Sequence, residues 1–169
     1  LGRVALLDCQ EAEAGSTALV EILLERDTLA LRGDRFILRD AGAQRTVAGG
    51  CVLDIFPPVR HKRAPQRLAL LDAMRNNNPA VTLGLLAVQA TAGIDLDRFA
   101  VSWNLTQAAA EDLWQRTGLR VIRDGNASLG FAAEAWTTLE AKLLDALARE
   151  HERAADMIGV ERERLRRMT

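Results

Sequence analysis

Two short basic segments are the residues of this sequence whose types and spacing could do chemistry. In the first, Arg39 and Arg45 flank Ala41-Gly42-Ala43, whose small side chains let a ligand approach the backbone. Two guanidinium groups on either side of an exposed backbone can hold a phosphate through paired donors. On these residues alone, a plain hairpin turn is the favoured interpretation.

The second basic segment is Arg60-His61-Lys62-Arg63, which follows Pro57-Pro58. Its cations, Arg60, Lys62 and Arg63, could bind the phosphate backbone of a nucleic acid. A solvated linker between two domains is supported equally well by so short a cluster.

Residues for catalysis or for metal binding are not found in a recognisable arrangement. The sequence has no phosphate-binding loop of the G-x-x-x-x-G-K-[ST] type and no G-x-S-x-G nucleophile elbow. Asp34, Asp40 and Asp54 show no spacing of a general acid and base, and we expect them on a solvated surface. The two cysteines and two histidines are far apart in sequence. We therefore expect no catalytic site, metal or cofactor in this chain.

Composition and charge indicate a globular chain with two parts. The 169 residues are 49% hydrophobic and only 4% aromatic, so the core is expected to consist mainly of Leu, Val, Ile and Ala. No apolar run is long enough for a membrane helix, so no membrane association is expected. Residues 1–56 carry a net charge of −3 and residues 57–132 one of +3, which places a boundary at Pro57-Pro58. The first residue is not Met, and we expect a piece of a longer, cytoplasmic protein.

Residues 1–56 have the pattern of an antiparallel β structure. Apolar and polar residues alternate in the segment around Val20 and Ile22, and again around Phe36 and Leu38. Gly49-Gly50 lies inside a predicted strand and indicates a bulge or a close backbone approach. The predicted strands are 3–9, 17–25, 35–40 and 44–56. Strands at this spacing predict part of an antiparallel β-barrel or sandwich.

The residues after the prolines have a helical pattern. Helices are predicted from Pro65 to the Asn76-Asn77-Asn78-Pro79 break, then over 81–91, 96–103 and 107–117. Two short strands, 119–123 and 127–132, follow across an Asp124-Gly125-Asn126 turn. Short helices followed by a two-stranded ribbon predict a winged helix over 65–132. An amphipathic helix and a second helix in 133–169 predict the start of another winged helix, cut by the end of the chain.

A family resemblance rests on Gly33-Asp34-Arg35-Phe36-Ile37-Leu38-Arg39-Asp40 and on Thr46-Val47-Ala48-Gly49-Gly50-Cys51-Val52-Leu53-Asp54. These segments resemble the closing strands of the third domain of elongation factors of the Tu type. With Pro57-Pro58, a basic stretch and helical units behind them, they are most similar to bacterial selenocysteine-specific elongation factors. The resemblance implies an α+β multidomain protein: a partial β-barrel over 1–56, a linker over 57–64, and the winged-helix units.

By that resemblance, the parent protein is a GTPase, with GTP and Mg²⁺ as cofactors. It delivers selenocysteinyl-tRNA to the ribosome at UGA codons. Its GTPase domain would precede this chain, and the domain that grips the messenger-RNA hairpin would follow it. The resemblance also places the turn of Arg39, Asp40, Gly42 and Arg45 near the tRNA, which favours an RNA contact over a plain turn.

Two other functions stay open from the sequence. One is a DNA-binding regulator that joins a β domain to a winged helix, and the other is a structural adaptor. The predicted recognition helix exposes Glu111 and Asp112, which repel phosphate, so the sequence favours the translation factor over the regulator.

Overall fold

The computed structural model describes residues 1–125, 127–153 and 159–168, and it shows a mixed α and β chain whose strand pairs are all antiparallel. Four strands come first: β1 (Gly2–Leu6), β2 (Val20–Leu24), β3 (Arg35–Arg39) and β4 (Thr46–Cys51). Two helices follow, α1 (Pro65–Ala73) and α2 (Pro79–Gln89). The remaining elements are β5 (Ile94–Asp95), α3 (Leu96–Ser102), α4 (Gln107–Arg116), β6 (Arg120–Asp124), β7 (Ala127–Phe131), α5 (Ala133–Arg153) and α6 (Arg162–Met168).

The first four strands form two separate hairpins. β1 pairs with β2 from Gly2 opposite Leu24 to Leu6 opposite Val20, and β3 pairs with β4. Among the described residues no ladder joins the two hairpins. The strands are also shorter than the sequence predicts: the first ends at Leu6 and the last at Cys51. The expected fourth strand over 44–56 was therefore too long, because the backbone pairing of the hairpin extends only to Val52, which bonds Gly33 and Asp34.

The glycine pair in β4 makes the close approach that the sequence indicated. A Cβ atom on Gly50 would overlap the ring of Phe36, its partner across the ladder. The register shift of this hairpin lies elsewhere, between Leu38 and Arg39, opposite Thr46. The ring of Phe36 therefore occupies the space that the missing side chain leaves.

Side chains cap the first residues of three helices, and α2 begins two residues before the predicted start at 81. The Asn78 side chain accepts hydrogen bonds from the backbone N–H groups of Ala80 and Val81 at the start of α2. Asp95 caps α3 and Thr106 caps α4 in the same way. Asn104 has a φ of 49°, which produces the sharp break between α3 and α4.

The hydrophobic core lies in the helical part. Leu83 and Leu96 are fully buried, whereas every residue in 1–56 is at least partly exposed. Three antiparallel strands in the order β5–β7–β6 pack beside this core. The sequence did not predict β5, because it has only two residues and the second, Asp95, is also the cap of α3. The predicted turn before β7 includes Asn126, which lies outside the described residues.

Candidate nucleic-acid interface

The turn between β3 and β4 carries the first set of candidate residues and is exposed. Side chains along β3 alternate, with Phe36 and Leu38 half-buried and Arg35, Ile37 and Arg39 exposed. The guanidinium of Arg39 therefore lies on the outward face of the hairpin, as predicted. Its Nη1 donates to the backbone oxygen of Ala43, 3.1 Å away, across the turn.

Asp40 holds this turn together. Its carboxylate accepts hydrogen bonds from the backbone N–H groups of Gln44 at 2.7 Å and Arg45 at 3.2 Å. Its own backbone N–H donates to the Arg45 oxygen at 3.0 Å, and Ala43 has a φ of 54°. The structure thus gives Asp40 a shaping role in the turn. Its negative charge also weakens the attraction of the turn for phosphate.

Arg45 is the cation of the turn that remains available. It is exposed, and among the described residues its side chain makes neither an ion pair nor a hydrogen bond. Gly42 is exposed nearby, and a Cβ atom there would meet only the side chain of Gln44, at 3.8 Å. The turn therefore presents Arg39, Arg45 and an accessible backbone together.

Two cations of the basic linker, Lys62 and Arg63, bind the first hairpin, whereas the sequence indicated either a phosphate contact or a solvated linker. Lys62 Nζ lies 2.7 Å from the Glu21 carboxylate on β2, and Arg63 Nη2 donates to the Leu6 oxygen at the end of β1, 2.7 Å away. These cations fasten the linker to the first hairpin, because backbone and carboxylate acceptors lie within their reach. Arg60 is exposed, and its side chain has no polar partner in the part of the chain that the structure describes.

A shallow cavity of about 450 Å³ lies where the linker meets the first hairpin, lined by Ala5, Leu7, Glu21, Val59 and residues 60–64. His61 at its edge has a φ of 57°. No hydrogen bond or ion pair between described residues joins this cavity to the Arg39–Arg45 turn.

The predicted recognition helix, α4, presents no net positive charge. Glu111 pairs with Arg123 of β6 at 3.3 Å, and Asp112 pairs with Arg116 at 2.7 Å. These arginines are therefore committed to neighbouring carboxylates. Such a surface is a poor partner for a phosphate backbone.

Metal and membrane sites are also not seen. In the described ranges, no three His, Cys, Asp or Glu residues are grouped so that they could hold a metal ion. No described helix is both long and apolar enough to span a bilayer.

Sequence reasoning missed the contacts that join the two parts of the chain. Asp54 was expected on a solvated surface, which is wrong: its side chain is 7% exposed and pairs with Arg67 of α1 at 2.6 Å. Arg32 reaches Met74, Asn76 and Trp103, and Arg98 lies over the Phe56 ring. No sequence signal identifies these pairs, because each joins residues that are distant along the chain.

Comparison with known proteins gives consistent matches. The family model for the β-barrel domain of selenocysteine-specific elongation factors matches residues 1–59. The selenocysteine-specific elongation factor of Escherichia coli is 33% identical over 169 residues, which covers 99% of this chain and 25% of that protein. The factor of Haemophilus influenzae is 31% identical over 171 residues, covering 99% of this chain and 26% of that protein. The chain thus spans about a quarter of the length of these curated relatives.

Proposed function

This chain is a relative of the selenocysteine-specific elongation factors. We propose that it is part of a protein that delivers selenocysteinyl-tRNA to the ribosome at UGA codons. Within that protein, residues 1–56 are the tRNA-facing remnant of a β-barrel and the helices connect it to further domains. The parent protein acts in the cytoplasm.

The outward-facing turn of Arg39 and Arg45 is the observation that supports the tRNA contact. Arg39 at the end of β3 and Arg45 in the turn are both exposed, inside the segment that matches the barrel-domain family. Arg45 has no competing partner among described residues, so it can bind a phosphate oxygen without breaking an internal contact. Gly42 lets the ribose edge approach, and Asp40 keeps the turn in shape.

The linker contributes less to RNA binding than its composition indicates. Arg60 is free to contact a phosphate, whereas Lys62 and Arg63 would first have to leave Glu21 and Leu6. We therefore assign RNA contact in this segment to Arg60, with Lys62 and Arg63 as structural cations.

The helical part acts as a connector. The order helix α2, strand β5, helices α3 and α4, and the β6–β7 hairpin supports a winged helix as the unit that makes this connection. The ion pairs on α4 favour a spacer over a nucleic-acid reader. Binding of the messenger-RNA hairpin is then the task of another domain of the parent protein.

GTP and Mg²⁺ also belong to the rest of the parent protein. The residues of this chain do not fit them, because no glycine-rich loop with a lysine connects a strand to a helix, and no described carboxylates cluster as metal ligands. The contribution of this chain to the GTPase cycle is therefore indirect.

The test is the affinity of the full-length factor for charged tRNA. Arg45→Ala should weaken binding by about 1 kcal/mol, roughly fivefold in Kd, and reduce the salt dependence, because one phosphate contact is lost. Arg39→Ala should act in the same direction. Arg3→Ala is the matched control, since Arg3 is an exposed arginine on the other hairpin. Unchanged affinity in both turn variants, with circular dichroism intact, would contradict the proposal.

A further inference from the structure

Arg32 crosses from the strand-rich part of the chain into the helical part. It lies in the tight turn before β3, where Gly33 has a φ of 92° and donates its N–H to the Val52 oxygen at 2.8 Å. Asp34 Oδ2 accepts from the Leu31 N–H at 2.8 Å, which closes the same turn. The backbone that carries Arg32 is therefore fixed to its own hairpin.

The guanidinium of Arg32 binds the far end of α1. Its Nη2 donates to the Met74 oxygen at 2.6 Å and also to the Asn76 oxygen. Backbone oxygens at a helix C-terminus lack intrahelical donors and carry partial negative charge, so a cation is stabilised there. The Asn76 oxygen also accepts from the buried Thr82 hydroxyl of α2 at 3.1 Å. One oxygen therefore joins the strand-rich part to two helices.

The flat face of the same guanidinium lies over the Trp103 ring, with 3.6 Å between the Cζ atom and the ring centroid. Trp103 in turn stacks on Phe99 with a centroid separation of 5.7 Å, and Phe99 meets Trp114 edge to face. Phe99 and Trp114 belong to the hydrophobic core. The contact of Arg32 thus continues into the centre of the helical part.

The two backbone acceptors and the indole ring around Arg32 match a planar cation better than the point charge of lysine, although burial of the group has a cost. Burial lowers the pKa of Arg32. Its Nε is buried and finds no acceptor among the described residues. Lysine, a point charge without a flat face, could not both bind two oxygens and stack on the indole.

The position of Arg32 matters because α1 is already held at its other end. Arg67, in the first turns of α1, pairs with Asp54, which follows β4. The attachment points at Arg67 and Met74 lie about 10 Å apart along the helix axis, at a rise of about 1.5 Å per residue. One attachment would leave the helix free to pivot, whereas two define the direction of its axis.

We infer that Arg32 is the positioning residue that fixes the angle between the strand-rich part (residues 1–56) and the helical part of this chain. Without it, α1 pivots on the Asp54–Arg67 pair, while the linker contacts of Lys62 and Arg63 and the exposed contact of Arg98 with Phe56 remain. The partners of Arg32 are neutral, so this contact resists salt better than the exposed ion pairs of the chain. The inference does not depend on which RNA the chain binds.

The test measures the distance between the two parts by double electron–electron resonance. Spin labels are placed at Val47→Cys on β4 and Ala108→Cys on α4, both exposed, in the full chain with Cys9→Ser and Cys51→Ser. The chain with Arg32 intact should give one narrow distribution of distances between the two labels. The distribution should stay narrow at about 1 M salt, where the screening length is about 3 Å. Arg32→Ala should broaden the distribution by about twofold or more, as a pivoting joint samples many angles.

The controls distinguish a variable angle between the two parts of the chain from a loss of folding. Arg35→Ala removes an exposed arginine three residues away and should leave the distribution unchanged. Arg32→Lys keeps the charge and should broaden it nearly as much as Arg32→Ala. Each variant must keep the circular dichroism spectrum of the chain with Arg32 intact. If Arg32→Ala does not fold, the width of the distance distribution in Arg32→Lys tests the inference. A narrow, unshifted distribution in a folded Arg32 variant would overturn the inference.

Discussion

The carboxylate of Asp54 and the guanidinium of Arg67 are 2.6 Å apart, with side-chain exposures of only 7% and 14%. Asp54 follows the last strand of the β3–β4 hairpin, and Arg67 lies in the first half of α1. The same carboxylate accepts from the Phe56 N–H at 2.8 Å, so it also fixes the start of the linker. This ion pair therefore sets where the helical part begins relative to the strands.

Removing one partner of the Asp54–Arg67 pair should lower the free energy of unfolding. Asp54→Ala leaves the Arg67 cation largely buried without its acceptor, and we expect the free energy of unfolding to fall by about 3 kcal/mol. Urea denaturation measures the change. Asp72→Ala is the matched control, because Asp72 pairs with Arg75 on an exposed helix face and its loss should change stability by less than about 0.5 kcal/mol. Equal effects of the two substitutions would contradict the structural role of Asp54.

Substitution by alanine should destabilise the β3–β4 hairpin at Gly50 but not at the adjacent Gly49. Gly50→Ala forces a methyl group into the Phe36 ring and should destabilise the β3–β4 hairpin by about 1–3 kcal/mol. Gly49→Ala meets only ordinary contact, 3.5 Å from the Phe36 oxygen, and should be neutral or stabilising. Hydrogen exchange of the β3 and β4 amides measures both. Similar exchange in the two variants would show that the Phe36 ring does not fill this space.

Local features of the fold could be predicted from the sequence because their causes are local. The helices α3 and α4 begin at the predicted residues, 96 and 107, each after a side chain that caps it, whereas α2 begins two residues before the predicted 81. Alternation around Phe36 and Leu38 predicted which face of β3 is exposed. The length of β4 was not predictable, because strand ends depend on the partner strand and not on the strand's own residues.

The sequence predicted where the candidate site lies, but not which of its cations are already bound to other residues of the chain. The Arg39–Arg45 turn lies where small residues indicated a hairpin. Lys62 finds Glu21, 41 residues earlier, and Arg63 finds Leu6, 57 residues earlier. No pattern along the chain encodes such pairs. Arg32 was missed for the same reason, since its acceptors lie 42 and 44 residues away.

We expect the 169-residue chain neither to bind nor to hydrolyse GTP. Phosphate binding needs converging backbone N–H groups and a lysine, and no segment of the sequence provides that loop. Isothermal calorimetry with GTP and Mg²⁺ should show no saturable heat. Saturable binding at micromolar affinity would contradict this prediction.

The chain should also not distinguish a selenocysteine-insertion hairpin from a scrambled stem-loop. Reading an RNA loop requires unstacked bases to meet aromatic or hydrogen-bonding side chains, and α4 offers paired charges instead. Competition binding with both RNAs at physiological salt measures the preference. A clear preference for the insertion hairpin would show that this part of the chain reads the messenger RNA.

The salt dependence of RNA binding should reveal how many of the candidate cations are available. Arg45 and Arg60 have no polar side-chain partner among the described residues, and the exposed Arg39 has a neutral acceptor, whereas Lys62 and Arg63 are bound to the first hairpin. Three phosphate contacts on a single strand give a slope of log K against log salt of about −2.1, and five contacts give about −3.5. We therefore expect weak binding of a single-stranded oligonucleotide with a slope near the smaller value. Arg45→Ala should reduce the slope by about one third, and Lys62→Ala should leave it unchanged. A slope near the larger value, or a smaller slope in Lys62→Ala, would mean that the linker cations leave Glu21 and Leu6 to bind RNA.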